Sequence, residues 1–457
     1  MRIALAQPNS SAHTLIPPLG LGYLASSLRE AGHEVSIIDM AKERWDAAQG
    51  ADAVAGFNPD LVGVSILSTA YFPASDLISL LKRRLQGTPT VVGGPHVTAL
   101  PEKTLEDFAV DFAVVGEAEH AFPELVRRLD AGVPLEDTPS LCYRENGGFR
   151  QAKRAGFFNE LDRLPFPAWD LMDPRTYPDM PHQLLHKKFP VAPILTTRGC
   201  PYDCSFCSST KLWGKRLRTR SPENVVDEIE LLVKEFGVRE IHFEDDNFTQ
   251  KRGHVRRVCE EILERDLRIV WSCPNGVRID TLDDELLALM RRSGCHSVGL
   301  GIESGSQEVL DRNHKRLDLK QVPEQVDMIR AHGIAAHGFF IIGMPGETEK
   351  TVRQTAGFAR KVRFDRANFS LLSPLPGTEI FQKYVADPAG GKALDFSVLN
   401  FFTPFPLGEL DADGLKRWQR RAVMSFYLRP RPMLHLFSRF RLSQSIKIVK
   451  AFFDYTS

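Results

Sequence analysis

Cysteine is scarce in this chain, seven among 457 residues, which excludes a small fold stapled by disulfides. An excess of charge of one sign is missing too, since Lys+Arg and Asp+Glu number 58 each. A formal net charge of zero gives no whole-protein attraction to nucleic acid, and no nucleic-acid partner is expected. No apolar run reaches the roughly 20 residues that span a bilayer. The apolar stretch at residues 1–7 is too short for a secretory signal and reads as a strand, so the expected location is cytoplasmic. Short repeats and low-complexity tracts are absent as well. What remains is an ordinary globular composition, 25% charged and 43% hydrophobic, long enough for two or three domains of about 100 to 200 residues.

The periodicity predicts an α/β protein in four stretches. Residues 1–137 alternate β-branched runs with amphipathic ones, the pattern of a doubly wound, Rossmann-like parallel sheet. Strands are predicted at 2–6, 34–39, 61–66, 90–93 and 111–115, with helices at 19–30, 74–85 and 119–129. Such a sheet binds ligands at the carboxyl ends of its strands. Over 138–188 prolines accumulate and the periodicity fades, as in a linker. A second alternating series over 189–385 predicts strands at 193–197, 240–243, 268–272, 297–302, 336–342 and 368–373, which suggests a partial (β/α)6 barrel. Residues 386–457, rich in Phe, Leu and Arg, read as a helical appendix; the stretch 437–453 is expected to pack on the barrel rather than lie on a membrane surface.

Three of the seven cysteines fall within eight positions. Cys200, Cys204 and Cys207 follow a predicted strand at spacings of four and three, a loop rather than a helix face. Such a loop can give one thiolate to each of three irons of a cubane, leaving the fourth iron open, and Gly199 lets the backbone come close. A structural zinc site wants a second pair of ligands, and Cys142, Cys259, Cys273 and Cys295 are scattered singly. The four read as small core residues.

The C-x3-C-x2-C spacing, with Phe206 before the last cysteine, resembles the signature of the radical S-adenosylmethionine superfamily. The resemblance implies a [4Fe-4S] cluster on Cys200, Cys204 and Cys207 whose open iron chelates S-adenosylmethionine. One-electron reduction then yields a 5'-deoxyadenosyl radical that abstracts hydrogen. It further implies that Glu244 or Asp245, in Phe243-Glu244-Asp245-Asp246-Asn247-Phe248, meets the methionine amino group, with a solvated turn or helix cap as the plain alternative. Glu303, in Gly299-Leu300-Gly301-Ile302-Glu303, is placed at the ribose, and Gly343, in Phe340-Ile341-Ile342-Gly343-Met344-Pro345-Gly346-Glu347, at the adenine. Asn275 and Arg278 would hold the cofactor carboxylate or the substrate, unless Arg278 simply caps the barrel rim. Ser373 to Thr378 would close the barrel wall.

The N-terminal turns resemble the cobalamin-binding domain that precedes the barrel in one large subgroup of these enzymes. They are Pro17 to Ala25, Gly93-Gly94-Pro95-His96 and Gly116-Glu117-Ala118-Glu119, followed by a similar linker at Leu161 to Asp170. By that resemblance Ser65, Gly93 and Gly94 would let the backbone approach a corrin. The loop Asp39-Met40-Ala41-Lys42-Glu43-Arg44 lacks the cobalt-ligating His of other cobalamin domains, and His96 reads as a hydrogen-bonding residue. Cobalamin therefore stays open at this point, as does a domain kept only for substrate binding or dimerisation.

The expected activity is functionalisation of a C–H bond in a small natural product, by cobalamin-dependent methylation or by cyclisation. Cobalamin-independent dehydration or elimination on a diol or amino sugar is the alternative, and a non-catalytic iron–sulfur protein a third. Partners would be a small-molecule substrate and an external one-electron reductant of flavodoxin or ferredoxin type, with a homodimer compatible.

Overall fold

The computed structural model describes residues 1–10, 15–179, 186–386, 396 and 399–430. Two sheets dominate. The first has seven strands in the order β2-β1-β3-β4-β5-β6-β7. They are β1 (Arg2–Gln7), β2 (Glu34–Asp39), β3 (Leu61–Ser65), β4 (Thr90–Gly93), β5 (Phe112–Val114), β6 (Leu141–Glu145) and β7 (Gly148–Gln151). β1 to β5 are parallel, and their order reverses between β1 and β3, which opens a crevice at the carboxyl ends. Ile3, Leu5, Val62, Val64, Val91 and Val92 are buried on both faces, as a helix-covered parallel sheet requires. The helices Leu19–Glu30 and Ala118–Ala131 lie against one core cluster, and Tyr71–Arg84 against the other.

The stretch 138–188 is more structured than a linker. Its first part, β6 and β7, forms a hairpin that adds to the sheet antiparallel to β5, so the sheet is mixed rather than wholly parallel. The hairpin turns at Asn146-Gly147, both at positive φ. Further on, Trp169, Met172 and Tyr177 sink into the core of the second sheet. The Trp169 indole N–H donates to Glu228 at 3.0 Å, and the Tyr177 hydroxyl donates to Asp39 at 2.8 Å.

The second sheet is six-stranded, parallel and in sequence order. Its strands are β8 (Val191–Ile194), β11 (Glu240–Phe243), β12 (Val270–Val277), β13 (Cys295–Glu303), β14 (Ala335–Ile342) and β15 (Arg366–Leu371). It runs from β8 to β15 as a partial barrel whose two end strands are edges. The third strand outruns its prediction because it passes through an irregularity at Pro274-Asn275-Gly276, where the register with β13 slips between Cys273 and Val277. The helix Ala412–Tyr427 covers the β15 side: Gln419 donates to the Phe369 carbonyl at 2.8 Å and the Tyr427 hydroxyl to the Ala367 carbonyl at 3.0 Å. The stretch 437–453 lies outside the described residues. Among the described residues no helix is long and apolar enough to cross a membrane.

A small hairpin, β9 (Thr197–Arg198) with β10 (Arg218–Thr219), stands between the sheets. Arg198 donates to Glu119 at 2.5 Å and sits 3.5 Å from Glu117, which pairs with Arg218 at 2.5 Å. These four side chains are only 2–8% exposed, so each charge depends on its partners for solvation. Burial opposes ionisation of Glu119, but the Arg198 guanidinium prevails and holds it below the usual carboxylate range. Replacing Arg198 by Met strands the buried Glu119 carboxylate and leaves Glu117 to Arg218 alone, with an expected loss of about 3–5 kcal/mol. Urea unfolding of R198M should show a clearly lower midpoint than the parent; an unchanged midpoint would contradict the clasp.

Candidate active site

The three cysteines occupy the loop that follows β9. Gly199 has φ +100, and a Cβ there would collide with the Arg216 carbonyl oxygen, so this turn requires glycine. The Cys200 N–H donates to the Gly214 carbonyl at 3.2 Å and the Cys207 N–H to the Cys204 carbonyl at 3.1 Å. All three thiols are free of disulfides, with Cys200 and Cys204 half-buried. Cys207 is exposed by area, yet protein surrounds its sulfur closely enough that burial pushes the thiol up to about 12. Burial raises Cys200 and Cys204 as well. Cys200 and Cys207 also feel the charge of Cys204, which ties the three together electrostatically. Thiols so raised stay protonated unless a cationic centre binds them.

Three thiols free of disulfides on one short loop can give one thiolate to each of three irons, so the donor set fits a cluster.

A second wall backs the loop, and the sequence carries no signal for it. Residues Asn313 to Arg316 turn back with His314 at φ 57 and Arg316 at φ 49. Ser205 donates through its N–H to the Asn313 carbonyl at 3.2 Å, and the Cys204 thiol points to the His314 carbonyl at 3.8 Å. Arg316 pairs with Asp203 at 3.0 Å. Arg278 lies over the Tyr202 ring at 3.9 Å and donates to the Lys315 carbonyl at 2.8 Å and to Asp280 at 2.7 Å. Its guanidinium is thus directed to the rim of the barrel and the loop. Phe206 packs beside Val309, Met344, Leu372 and Ile380.

The row of acids after β11 divides into distinct tasks. Asp245 accepts from the N–H and hydroxyl of Thr196, at 3.1 and 2.9 Å, and from the N–H and hydroxyl of Thr197, which leaves it committed to the loop entrance. Asp246 accepts from the Ser209 hydroxyl. Glu244 meets the Asn275 side chain rather than the loop entrance and faces the cavity described below; burial and the adjacent Asp245 push it up to about 8. Asn275 donates to the Glu244 backbone carbonyl at 2.6 Å. Glu303, at φ 66, pairs with Lys315 at 2.9 Å. The Gly343 N–H donates to Glu347 at 2.6 Å, and burial raises Glu347 to about 7.

Ser65, Gly93 and Gly94 meet at a largely apolar cavity of about 430 Å³ at the carboxyl ends of the first sheet. Gly94 has φ +101, and a Cβ there would stand 3.0 Å from the Ile66 carbonyl oxygen. Gly20 and Gly116 also line the wall and leave open space where a side chain would stand, a cradle that fits a broad planar ligand such as a corrin. The opposite wall comes from the barrel side, with Leu212, Trp213 and Glu244. Asp39 and Ala41 line the cavity too, so the loop without a His does face it. His96 turns away into the core, fully buried, its Nδ1 3.0 Å from the Ser68 hydroxyl, and burial lowers it to about 4.

Glu244 sets a pH dependence. Its proton is held in the folded state up to about pH 8 but released from the unfolded chain near 4.5, so the stability it confers is present at low pH and lost as pH rises through that window. Thermal unfolding of the cofactor-free protein should show Tm falling across this range, and E244Q should flatten the upper part of the fall. An unaltered slope in E244Q would refute the assignment.

Comparison with known proteins agrees with this geometry. The family model for the radical SAM superfamily matches residues 194–359, and that for the B12 binding domain matches residues 9–126. An uncharacterized methyltransferase of Pyrococcus horikoshii is 34% identical over 92% of this chain and 89% of its own. The cytidylyl-2-hydroxyethylphosphonate methyltransferase of Streptomyces wedmorensis is 31% identical over 80% of this chain and 78% of its own. The anaerobic magnesium-protoporphyrin IX monomethyl ester cyclase of Rubrivivax gelatinosus is 31% identical over 90% and 73%. Among solved structures, the radical S-adenosylmethionine methyltransferase TsrM from Kitasatospora setae, with cobalamin and a [4Fe-4S] cluster bound, shares the fold at TM-score 0.69 and 23% identity, over 83% of this chain and 73% of that one. The cysteine loop at the head of the barrel and the glycine-walled cavity of the first sheet place the chain in the radical S-adenosylmethionine superfamily, among the enzymes whose barrel follows a B12-binding domain.

Proposed function

We propose that this enzyme holds a [4Fe-4S] cluster on Cys200, Cys204 and Cys207, S-adenosylmethionine at the barrel mouth and a cobalamin in the cavity. Its reaction would functionalise a C–H bond of a small natural product, by methylation or by cyclisation. The observation that carries the reading is the shared cavity: the turns at Ser65, Gly93 and Gly94 and the barrel residues Trp213 and Glu244 face the same space. Relatives named as methyltransferases and as a cyclase support both outcomes. When bound, the cluster supplies one electron to the sulfonium and the corrin supplies a methyl-carrying cobalt.

The chain's own residues then bind and orient. Glu244, protonated near neutral pH, gives up its proton to pair with an ammonium brought beside it. Asp245 acts on the loop entrance and not on the ligand, which makes Glu244 the better candidate for the methionine amino group. Glu303 offers its carboxylate to ribose hydroxyls while its ion pair with Lys315 fixes its position. The backbone at Gly343 is the adenine contact, its N–H fixed by Glu347. Among the described residues the cavity lining includes no His, Cys, Met or Lys. In this reading residues 1–137 form the corrin domain, 138–188 the connection and 189–385 the barrel.

Anaerobic reconstitution with iron and sulfide tests the whole reading. The parent protein should gain a cluster absorbance, take up cobalamin, and consume S-adenosylmethionine under a strong reductant. C207A should lose the cluster. Gly94→Val should keep the cluster yet bind cobalamin at least about tenfold more weakly. A cluster-loaded protein that takes up no cobalamin would overturn the corrin site and favour cobalamin-independent elimination.

A further inference from the structure

Lys315 stands behind the cysteine loop in a setting that ordinary packing does not explain. Its ammonium lies 2.9 Å from a Glu303 carboxylate oxygen, and the two side chains are 10% and 12% exposed. The segment carrying it is fastened to the loop on both sides of Cys204, through Arg316 to Asp203 at 3.0 Å and through Asn313 to the Ser205 hydroxyl at 2.8 Å. Gly301 keeps the space clear, since a Cβ there would stand 2.6 Å from a Glu303 oxygen and 2.8 Å from Lys315 Nζ. Glu303 holds φ 66, a conformation that costs a non-glycine residue of the order of 1–3 kcal/mol. A buried ion pair adds little net stability over apolar residues of similar shape. A strained backbone and a cleared glycine therefore point to a task for the charges themselves.

Three thiolates outweigh the positive charge of a cubane core, and each added electron increases the excess. The nearby guanidinium of Arg278 is paired with Asp280. The His314 carbonyl, one residue before Lys315, stands 3.8 Å from the Cys204 sulfur, so the segment that carries the ion pair lies against the loop. We propose that Lys315 is a tuning residue of the cluster: its ammonium, anchored by Glu303, offsets the cluster's negative charge and raises its reduction potential. The inference rests on the cluster reading above. The step it affects is the uptake of one electron by the oxidised cluster from an external one-electron reductant; no bond forms or breaks and no proton moves.

Potentiometric titration of the anaerobically reconstituted protein, followed by EPR without S-adenosylmethionine, reads this directly. K315M leaves Glu303 unbalanced beside the cluster and should shift the midpoint to more negative values. E303Q leaves Lys315 unbalanced and should shift it to more positive values, while K315R should stay near the parent. A role in packing alone would not move the two substitutions in opposite directions. Shifts of the same sign, or none, overturn the proposal. Should K315M fail to load a cluster, E303Q decides by itself: a positive shift supports the proposal and any other result overturns it. A parent protein that binds no iron would instead sink the cluster reading, and this proposal with it.

Discussion

Thr196, Thr197 and Arg198 form the junction on which both halves of the site depend. On the barrel side Asp245 gathers the N–H and hydroxyl groups of the two threonines. On the other side Arg198 reaches Glu119, in the first turn of the helix Ala118–Ala131 that covers the first sheet, and lies over Trp213 at 4.8 Å, on the wall of the cavity. The cysteine loop begins two residues later. A carboxylate just past a strand of the second sheet and a carboxylate on a helix of the first domain thus fix the start of one short loop, and the loop's position relative to the cavity follows from that. Because all these groups are buried, a slip of the junction would leave charges without partners, so the arrangement resists gradual loosening.

Away from the junction the site holds acids that have been kept protonated. Glu244 and Glu347 are raised to about 8 and 7 by burial, and among the described residues no cation is set against them. Glu303 differs, because Lys315 pairs with it. The barrel mouth without ligand is therefore short of positive charge at Glu244 and balanced at Glu303, and a cationic ligand has one carboxylate prepared to meet it. Stability is given up at the pH of function in exchange for that readiness, a common feature of active sites.

Much of this was legible in the sequence where chemistry is local. The spacing of Cys200, Cys204 and Cys207, the glycines after β4, and the alternation of strands and helices all act over a few residues, and the structure follows them. The hairpin Leu141–Gln151 was hidden because its strands are short, polar on their outer face and set in proline-rich surroundings, so no run of periodicity stands out. The third barrel strand was cut short for a similar reason: Pro274 and Gly276 look like a break, and the sheet absorbs them as an irregularity. Long-range pairing was beyond reach altogether. Nothing local separates Glu244 from Asp245, and only the hydroxyls of Thr196 and Thr197, some fifty positions earlier, do so. The wall at Asn313 to Arg316 and the clasp of Arg198 on Glu119 likewise join segments far apart in the chain.

The central claim is that one cavity, walled by the first sheet and the barrel, brings a corrin to the mouth of the cluster-bearing barrel. An anaerobic crystal structure of the reconstituted enzyme with cobalamin and S-adenosylmethionine measures this directly. The account predicts a corrin seated between Gly93-Gly94 and Trp213, and the methionine amino group within hydrogen-bonding distance of Glu244. A corrin bound elsewhere, or a nucleotide whose amino group meets Asp245 and leaves Glu244 unengaged, would contradict it.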